Sequence, residues 1–214
     1  DNNVVLNSQE TVNALEYVKE LYEQFIPGTL SWLDPNNNKV FLAGDISATN
    51  NGISIWYAAA TSDDPNMQAL AEDIEHVAMP VGPVGRPTEL HLFTQAMVFG
   101  YTPYPNAAKE YLRFMWEKEQ YEPWQLAATG YVSHPLAAYE NNSVWTEVPK
   151  SEPYRDCVKN MLWNGYSGDL GYASAAAMAD YIVVDMFGQA ASGERSPKEA
   201  AAFAARRAER YYRI

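Results

Sequence analysis

Three prolines and two glycines crowd into the eight residues 80–87, the stretch of this chain that is richest in the two. Proline has no backbone N–H and a fixed φ, while glycine adds conformational freedom. Neither a helix nor a central strand can run through such a stretch. We therefore expect the chain to break here, at a crossing between two bodies or at a hinge.

Helical patterns dominate on both sides of this break. Apolar residues recur at helical spacing over 8–25, where Ser8 is placed to cap the amide of Thr11. The chain is predicted to end in another helix, opened by Ser-Pro-Lys-Glu at 196–199. Serine caps such a helix, proline suits its first position, and a glutamate three residues after the cap completes a capping box.

Two further helices are expected from spacing and composition. The segment 105–116 is strongly amphipathic, and its pattern predicts that Tyr111 and Trp116 lie in a core. An alanine-rich helix is expected over 173–187. Short strands are predicted where apolar residues alternate or run together, at 46–49, 76–80 and 93–99. The predicted fold class is therefore α/β and rich in helix.

Charge and composition exclude several classes of protein. The 214 residues contain 27 Asp and Glu against 15 Lys and Arg, a formal net charge of −12. Binding to nucleic acid or to an anionic membrane surface needs a basic face, so both are disfavoured. With 47% hydrophobic and 20% charged residues, the chain can build a core. No stretch approaches the roughly 20 apolar residues of a membrane span.

The residues that carry catalytic and metal chemistry are sparse. Cys157 is the only cysteine, and the three histidines show no metal-ligand spacing, so we expect neither a metal site nor a cofactor. No nucleophile-elbow, Walker or dinucleotide pattern occurs. Asp45 and Asp169 are candidate carboxylates for a carbohydrate hydrolase, but nothing in the sequence pairs them. The chain starts at Asp1 without a leader segment, as expected of a mature product or a fragment.

Aromatic residues are abundant, with 15 Tyr and 6 Trp, and several fall in loops or at the ends of elements. Aromatic faces stack on the apolar faces of sugar rings, while Asn, Asp and His side chains bind the hydroxyl groups. The alternative is that these residues pack in the core or at its rim. The residues with this placement are Trp56, Tyr57, Tyr131, Trp163, Tyr166 and Tyr172.

The order of five segments is similar to that of one family. The segments are Ser-Gln-Glu-Thr-Val-Asn-Ala-Leu-Glu-Tyr at 8–17, Phe-Leu-Ala-Gly-Asp-Ile-Ser-Ala-Thr-Asn-Asn-Gly at 41–52, Met-Pro-Val-Gly-Pro at 79–83 with Ala-Ala-Lys-Glu-Tyr-Leu at 107–112, Thr-Gly-Tyr-Val-Ser at 129–133, and Ala-Ser-Gly-Glu at 191–194. With them, the chain resembles the C-terminal half of an extracellular solute-binding protein of the family 1 type, the maltose-binding-like receptors of bacterial ABC importers.

This resemblance implies a type II periplasmic-binding-protein-like fold that closes on its ligand about a hinge. It places 1–79 and 130–214 in the C-terminal lobe. Residues 80–129 would belong to the N-terminal lobe, whose remainder lies outside this chain, with hinges near Gly82 and Gly130.

The resemblance also implies ligand contacts at particular positions. Carried over residue by residue, they are Asn51, Ser54, Trp56, Tyr57, His91, Tyr131 and Tyr172. Ser54 stands where many sugar binders have an aromatic residue, and His-Leu-Phe at 91–93 replaces a common Gly-Gly-Trp-Gly stretch. These departures leave the ligand class open.

The predicted function is a non-enzymatic, periplasmic or extracellular receptor that binds a sugar or oligosaccharide and delivers it to the permease subunits of an ABC importer. Contact with the membrane would come only through the permease or a lipid anchor. A polyamine or another small polar solute is an alternative ligand. A carbohydrate-active hydrolase and a fragment that serves only as an interaction module are alternatives of other classes.

Overall fold

The computed structural model describes residues 3–89, 96–131, 136–162 and 171–212. Within these ranges the chain is mostly helical. The α-helices are α1 (Gln9–Tyr22), α2 (Asn36–Leu42), α3 (Ser54–Ala60), α4 (Pro65–Asp73), α5 (Pro105–Met115), α6 (Lys118–Ala127), α7 (Val144–Glu147), α8 (Cys157–Asn160), α9 (Tyr172–Ala179), α10 (Ile182–Ser192) and α11 (Pro197–Tyr212). Short 3₁₀ turns occupy Thr29–Ser31, Ala137–Tyr139 and Pro149–Tyr154.

The described ranges contain no sheet, only one isolated parallel bridge between Glu89 and Met161. The strands predicted at 46–49 and 76–80 were wrong, because both segments are irregular. A short alternating stretch becomes a strand only where another strand takes up its backbone hydrogen bonds. The prediction at 93–99 lies partly outside the described residues, and 96–99 is irregular as well.

The chain divides into two compact units. One boundary falls between residues 36 and 37, at the start of α2, and the other between residues 163 and 164. The first unit comprises Asp1–Asn36 and Asn164–Ile214, and the second comprises Asn37–Trp163. The lobe boundaries implied by the resemblance stay a prediction.

In the first unit α1, α10 and α11 pack around one core. Leu15, Ile182 and Met186 meet a row of buried alanines on α11. Alanine has almost no side chain, so the neighbouring helices can approach the α11 backbone closely. Both predicted caps are confirmed: the Ser8 hydroxyl accepts from the Thr11 amide at 3.3 Å, and the Ser196 hydroxyl accepts from the Glu199 amide at 3.3 Å.

The alanine-rich segment forms two helices instead of the one predicted. Tyr181 takes a left-handed conformation with φ 51° and separates α9 from α10. Arg207 of α11 holds this junction, since it donates to the Asp180 carbonyl at 2.6 Å and to the Asp185 carboxylate at 2.7 Å. The break therefore depends on a side chain that comes later in the chain, which local composition does not reveal.

The described part of the second unit includes two groups of packed side chains. One joins α3 and α4 through Ile55, Ala59, Ala71 and Ile74. The other surrounds Tyr121, which is fully buried. Its ring lies 5.0 Å from that of Trp116, 4.8 Å from Tyr139 and 5.8 Å from Trp124, measured between centroids.

Helix α5 departs from its predicted packing. Its sequence is amphipathic, yet none of its residues is buried, and Tyr111 is 63% exposed. The prediction that Tyr111 lies in a core was therefore wrong, whereas Trp116 is half-buried against Tyr121. A periodic pattern shows that a helix has an apolar face but does not supply the surface that covers it. None of the helices in the described ranges has the length and apolarity needed to cross a bilayer.

Candidate functional site

Amide side chains converge at the turn that precedes α3. Asn37 donates to the Asn51 side-chain oxygen at 3.1 Å, and Asn38 donates to the Ser54 hydroxyl at 3.2 Å. Asn51 in turn donates to the same hydroxyl at 3.0 Å and to the Gly52 carbonyl at 2.9 Å. We call Asn37, Asn38, Asn51 and Ser54 the amide cluster. Two of its members, Asn51 and Ser54, are predicted ligand-binding residues.

Local sequence explains why these groups meet. Helix α2 begins within the run of three asparagines, so Asn37 and Asn38 lie in its first turn. The buried Ile53 and Ile55 anchor the start of α3 on either side of Ser54. Because successive residues on a helix point in different directions, this leaves Ser54 half-exposed beside α2.

Tyr131 lies near the amide cluster, beside Gly52. A side-chain carbon added at Gly52 would lie 3.8 Å from Cε2 of the Tyr131 ring, so the ring stands on the side of Gly52 from which a side chain would project. The ring nonetheless stays 58% exposed. The structure thus brings three predicted site residues together: Asn51, Ser54 and Tyr131.

Tyr154 belongs to the same neighbourhood and was missed by sequence reasoning. Its hydroxyl lies 3.5 Å from the Asn51 carbonyl. Its ring meets the His76 ring edge to face with centroids 5.3 Å apart, and His76 donates to the Lys150 carbonyl at 2.8 Å. Burial raises the pKa of Tyr154 to about 12, so the phenol is protonated and can donate at neutral pH.

Trp56 occupies a different environment. Its indole N–H donates to the Ala71 carbonyl at 3.2 Å, and its ring packs on the α3–α4 core. It also lines a shallow pocket of about 250 Å³ with Ala60, Gln68, Ala71, Glu72 and Lys150. The Lys150 ammonium donates to the backbone carbonyls of Glu72 and Ile74 and contacts the Glu75 carboxylate. Its hydrogen bonds therefore satisfy groups at the C-terminal end of α4.

No hydrogen bond in the described ranges links the remaining predicted site residues to the amide cluster. Tyr57 is 41% exposed on α3. Tyr172 opens α9 in the first unit and is 97% exposed. His91 lies outside the described residues, as does Asp169, one of the two candidate hydrolase carboxylates.

The chemistry of the amide cluster is that of neutral hydrogen bonding. Its partners are amide, hydroxyl and carbonyl groups, and no carboxylate or cation makes a hydrogen bond to it in the described part of the chain. Amides and hydroxyls both donate and accept, which suits ligands that carry several hydroxyl groups. Within the described ranges, no group of three or more His, Cys, Asp or Glu side chains is placed to hold a metal ion.

Comparison with known families gives one match. The family profile of bacterial extracellular solute-binding proteins matches residues 1–152, which include the amide cluster and Tyr131. No curated protein matches the chain. Since the matched residues make up well over half of the sequence, the chain belongs to the bacterial extracellular solute-binding proteins.

Proposed function

We propose that this protein binds a neutral sugar or oligosaccharide and delivers it to the permease of a bacterial ABC importer, without chemical conversion. The observation that carries this proposal is the amide cluster with the exposed Tyr131 ring at Gly52. An aromatic face and neutral hydrogen-bonding groups side by side can take the apolar face and the hydroxyls of a sugar ring.

A polyamine is the second candidate ligand, and the amide cluster disfavours it. A polyamine needs carboxylates to pair with its ammonium groups when they leave water. The Trp56 pocket is lined by one carboxylate, that of Glu72, and it shares this lining with the Lys150 ammonium. A hydrolase is disfavoured on similar grounds, since it needs two carboxylates facing one sugar bond.

The maltose-binding-like type and the lobe assignment belong to the same proposal. In it, residues 80–129 complete a lobe contributed by polypeptide outside these 214 residues. Support comes from the uncovered apolar side chains of that segment, which include Tyr101, 83% exposed, Met97, 75% exposed, and Tyr111, 63% exposed. Large exposed apolar surfaces commonly mark interaction sites. Extracytoplasmic localisation and permease docking follow from the proposed receptor role.

The ligand class is tested by adding one charge to the cluster. In Ser54→Asp the new carboxylate can still accept from Asn38 and Asn51, and it lies in the first turn of α3, where a negative charge is tolerated. Titration calorimetry with a panel of neutral mono- and disaccharides, and with spermidine, compares this variant with the wild type. We expect the wild type to bind a sugar and Ser54→Asp to bind it at least 10-fold more weakly.

Ser47→Asp is the matched control, because Ser47 is exposed in the same unit and carries the same added charge. We expect it to leave sugar affinity within about twofold. Binding of spermidine but of no sugar by the wild type would refute the proposal that the ligand is a sugar. Hydrolysis of any glycoside in the panel would refute the proposal that the protein is a non-enzymatic receptor.

A further inference from the structure

The ring of Tyr131 is largely exposed and lies at the proposed ligand surface. It is 58% exposed, and it stands on the side of Gly52 from which a side chain would project. A side chain this exposed cannot be oriented mainly by packing. Its position must come from the backbone that carries it.

That backbone is a turn with two consecutive left-handed residues. Thr129 has φ 53° and Gly130 has φ 78°. The Gly130 amide donates to the Gln125 carbonyl at 3.0 Å, and the Tyr131 amide donates to the Ala128 carbonyl at 2.8 Å. The left-handed conformation is unfavourable for threonine, so surrounding structure must hold Thr129 in place.

Trp145 and Ser151 form the surface beneath this turn. A side-chain carbon at Gly130 would lie 3.0 Å from Cζ3 of Trp145 and 3.2 Å from Cβ of Ser151, closer than either could accept without moving. Both are buried, and the Ser151 hydroxyl donates to the Val148 carbonyl at 2.7 Å. The turn therefore rests on atoms that are themselves fixed.

We propose that Trp145 and Ser151 are positioning residues that act through Gly130 to set the Tyr131 ring over Gly52, and that they thereby determine which sugars the site accepts. The selectivity clause rests on the proposed function. The positioning clause does not, because the ring has a position whether or not a ligand is bound. An aromatic platform discriminates between sugars by where its face lies relative to the hydrogen-bonding groups, here the amide cluster.

Trp145→Phe tests the positioning clause, because it removes the six-membered indole ring that contains Cζ3 but keeps an aromatic side chain in the core. Trp124→Phe is the matched control: it makes the same chemical change on α6, where Trp124 contacts Trp116 and Tyr121. 3-Fluorotyrosine placed at position 131 reports on the ring by ¹⁹F NMR without any ligand. We expect Trp145→Phe to shift or split this resonance, and Trp124→Phe to leave it as in the wild type.

The sugar panel then tests selectivity on the same proteins. We compare the affinity for the sugar that the wild type binds most tightly with the affinity for an epimer of that sugar. We expect Trp145→Phe to change the ratio of these two affinities at least threefold, and Trp124→Phe to preserve it. An unchanged ¹⁹F resonance in Trp145→Phe overturns the positioning role. A shifted resonance in a protein that binds no sugar upholds positioning and refutes the proposed function. A shifted resonance with an unchanged ratio overturns the selectivity clause.

Discussion

Gly130 is a residue whose identity has two separate physical causes. Its φ of 78° favours glycine, and a side-chain carbon at this position would lie 3.0 Å from Cζ3 of Trp145, which would have to move to admit it. The two contributions can be separated with Gly44, which has φ 80° and open space around it in the same unit. The comparison isolates steric exclusion from backbone conformation.

We predict that Gly130→Ala lowers the free energy of unfolding by about 2–4 kcal/mol, because backbone strain and overpacking add. Gly44→Ala should cost only the strain, about 1–2 kcal/mol. Urea denaturation followed by circular dichroism measures both. Equal losses would show that the contacts beneath Gly130 yield easily, and would weaken the case for Trp145 and Ser151 as a rigid support.

Trp56 gives a second prediction at the residue scale. Its N–H is bonded to the Ala71 carbonyl and its ring packs on the α3–α4 core. Trp56→Ala should therefore cost about 2–3 kcal/mol of stability, less than a fully buried tryptophan. The neighbouring Tyr57→Ala, at an exposed position, should cost under about 1 kcal/mol. Sugar affinity lost in Trp56→Ala without loss of stability would instead make Trp56 a ligand contact.

Local signals found the helix caps but missed a residue of the candidate site. The caps at Ser8 and Ser196 are visible in short stretches of sequence, because the interacting groups are neighbours. Tyr154 lies 103 positions from Asn51, and nothing in its own segment reports that contact. The amide cluster could be predicted only in part. The run of asparagines is evident in the sequence, but which of them would contact Asn51 and Ser54 is not.

At the scale of elements, one side chain of α11 organises two other helices. Arg207 donates to the Asp180 carbonyl at the end of α9 and to the Asp185 carboxylate in the first turn of α10. Its guanidinium also lies 3.2 Å from the Asp180 carboxylate. Arg207, whose side chain is largely buried, therefore links α9, α10 and α11 in addition to the apolar core that packs α1, α10 and α11 together.

We predict that Arg207→Gln lowers the free energy of unfolding by about 1–2 kcal/mol at neutral pH. Arg206→Gln on the exposed side of the same helix should change it by less than about 0.5 kcal/mol. Thermal unfolding at matched pH measures both. Equal effects would contradict the specific role of Arg207 and point to a general loss of charge.

The difference between wild type and Arg207→Gln should also depend on pH. The hydrogen bond from Arg207 lowers the pKa of the Asp180 carboxyl group. A lowered pKa stabilises the folded state above the unfolded value near 3.9, and that stabilisation disappears as pH falls through the folded pKa. Denaturation from pH 7 to 3 should therefore show the two proteins converging in acid. A difference between the two proteins that stays constant over this pH range would mean that the ion pair is not formed in solution.

At the scale of the whole molecule, the amphipathic α5 shows what helical periodicity can predict. Its existence and bounds follow from sequence, because Pro105 opens it and apolar residues recur along one side. The partner of that side does not follow, since packing depends on surfaces elsewhere. The same limit explains the strands predicted at 46–49 and 76–80, whose pairing partners no local pattern could supply.

Two tyrosines of the second unit allow the effect of an exposed apolar side chain on stability to be compared with that of a buried one. Tyr111→Ala should change the stability of the 214-residue chain by less than about 0.5 kcal/mol, because Tyr111 is 63% exposed. Tyr121→Ala should cost about 3–5 kcal/mol, because Tyr121 is fully buried among aromatic rings. Chemical denaturation compares the two. A large loss in Tyr111→Ala would show that α5 packs within this chain in solution, against its proposed place in a lobe completed elsewhere.

The order of the two units along the chain has a consequence for synthesis. The first unit is assembled from both ends of the sequence, so Leu15 of α1 waits for Ile182 and Met186 until residues 37–163 have been made. The second unit is continuous and can fold as it leaves the ribosome. During that interval the apolar side of α1 lacks its native partners. A nascent chain of this kind should therefore recruit chaperones through α1.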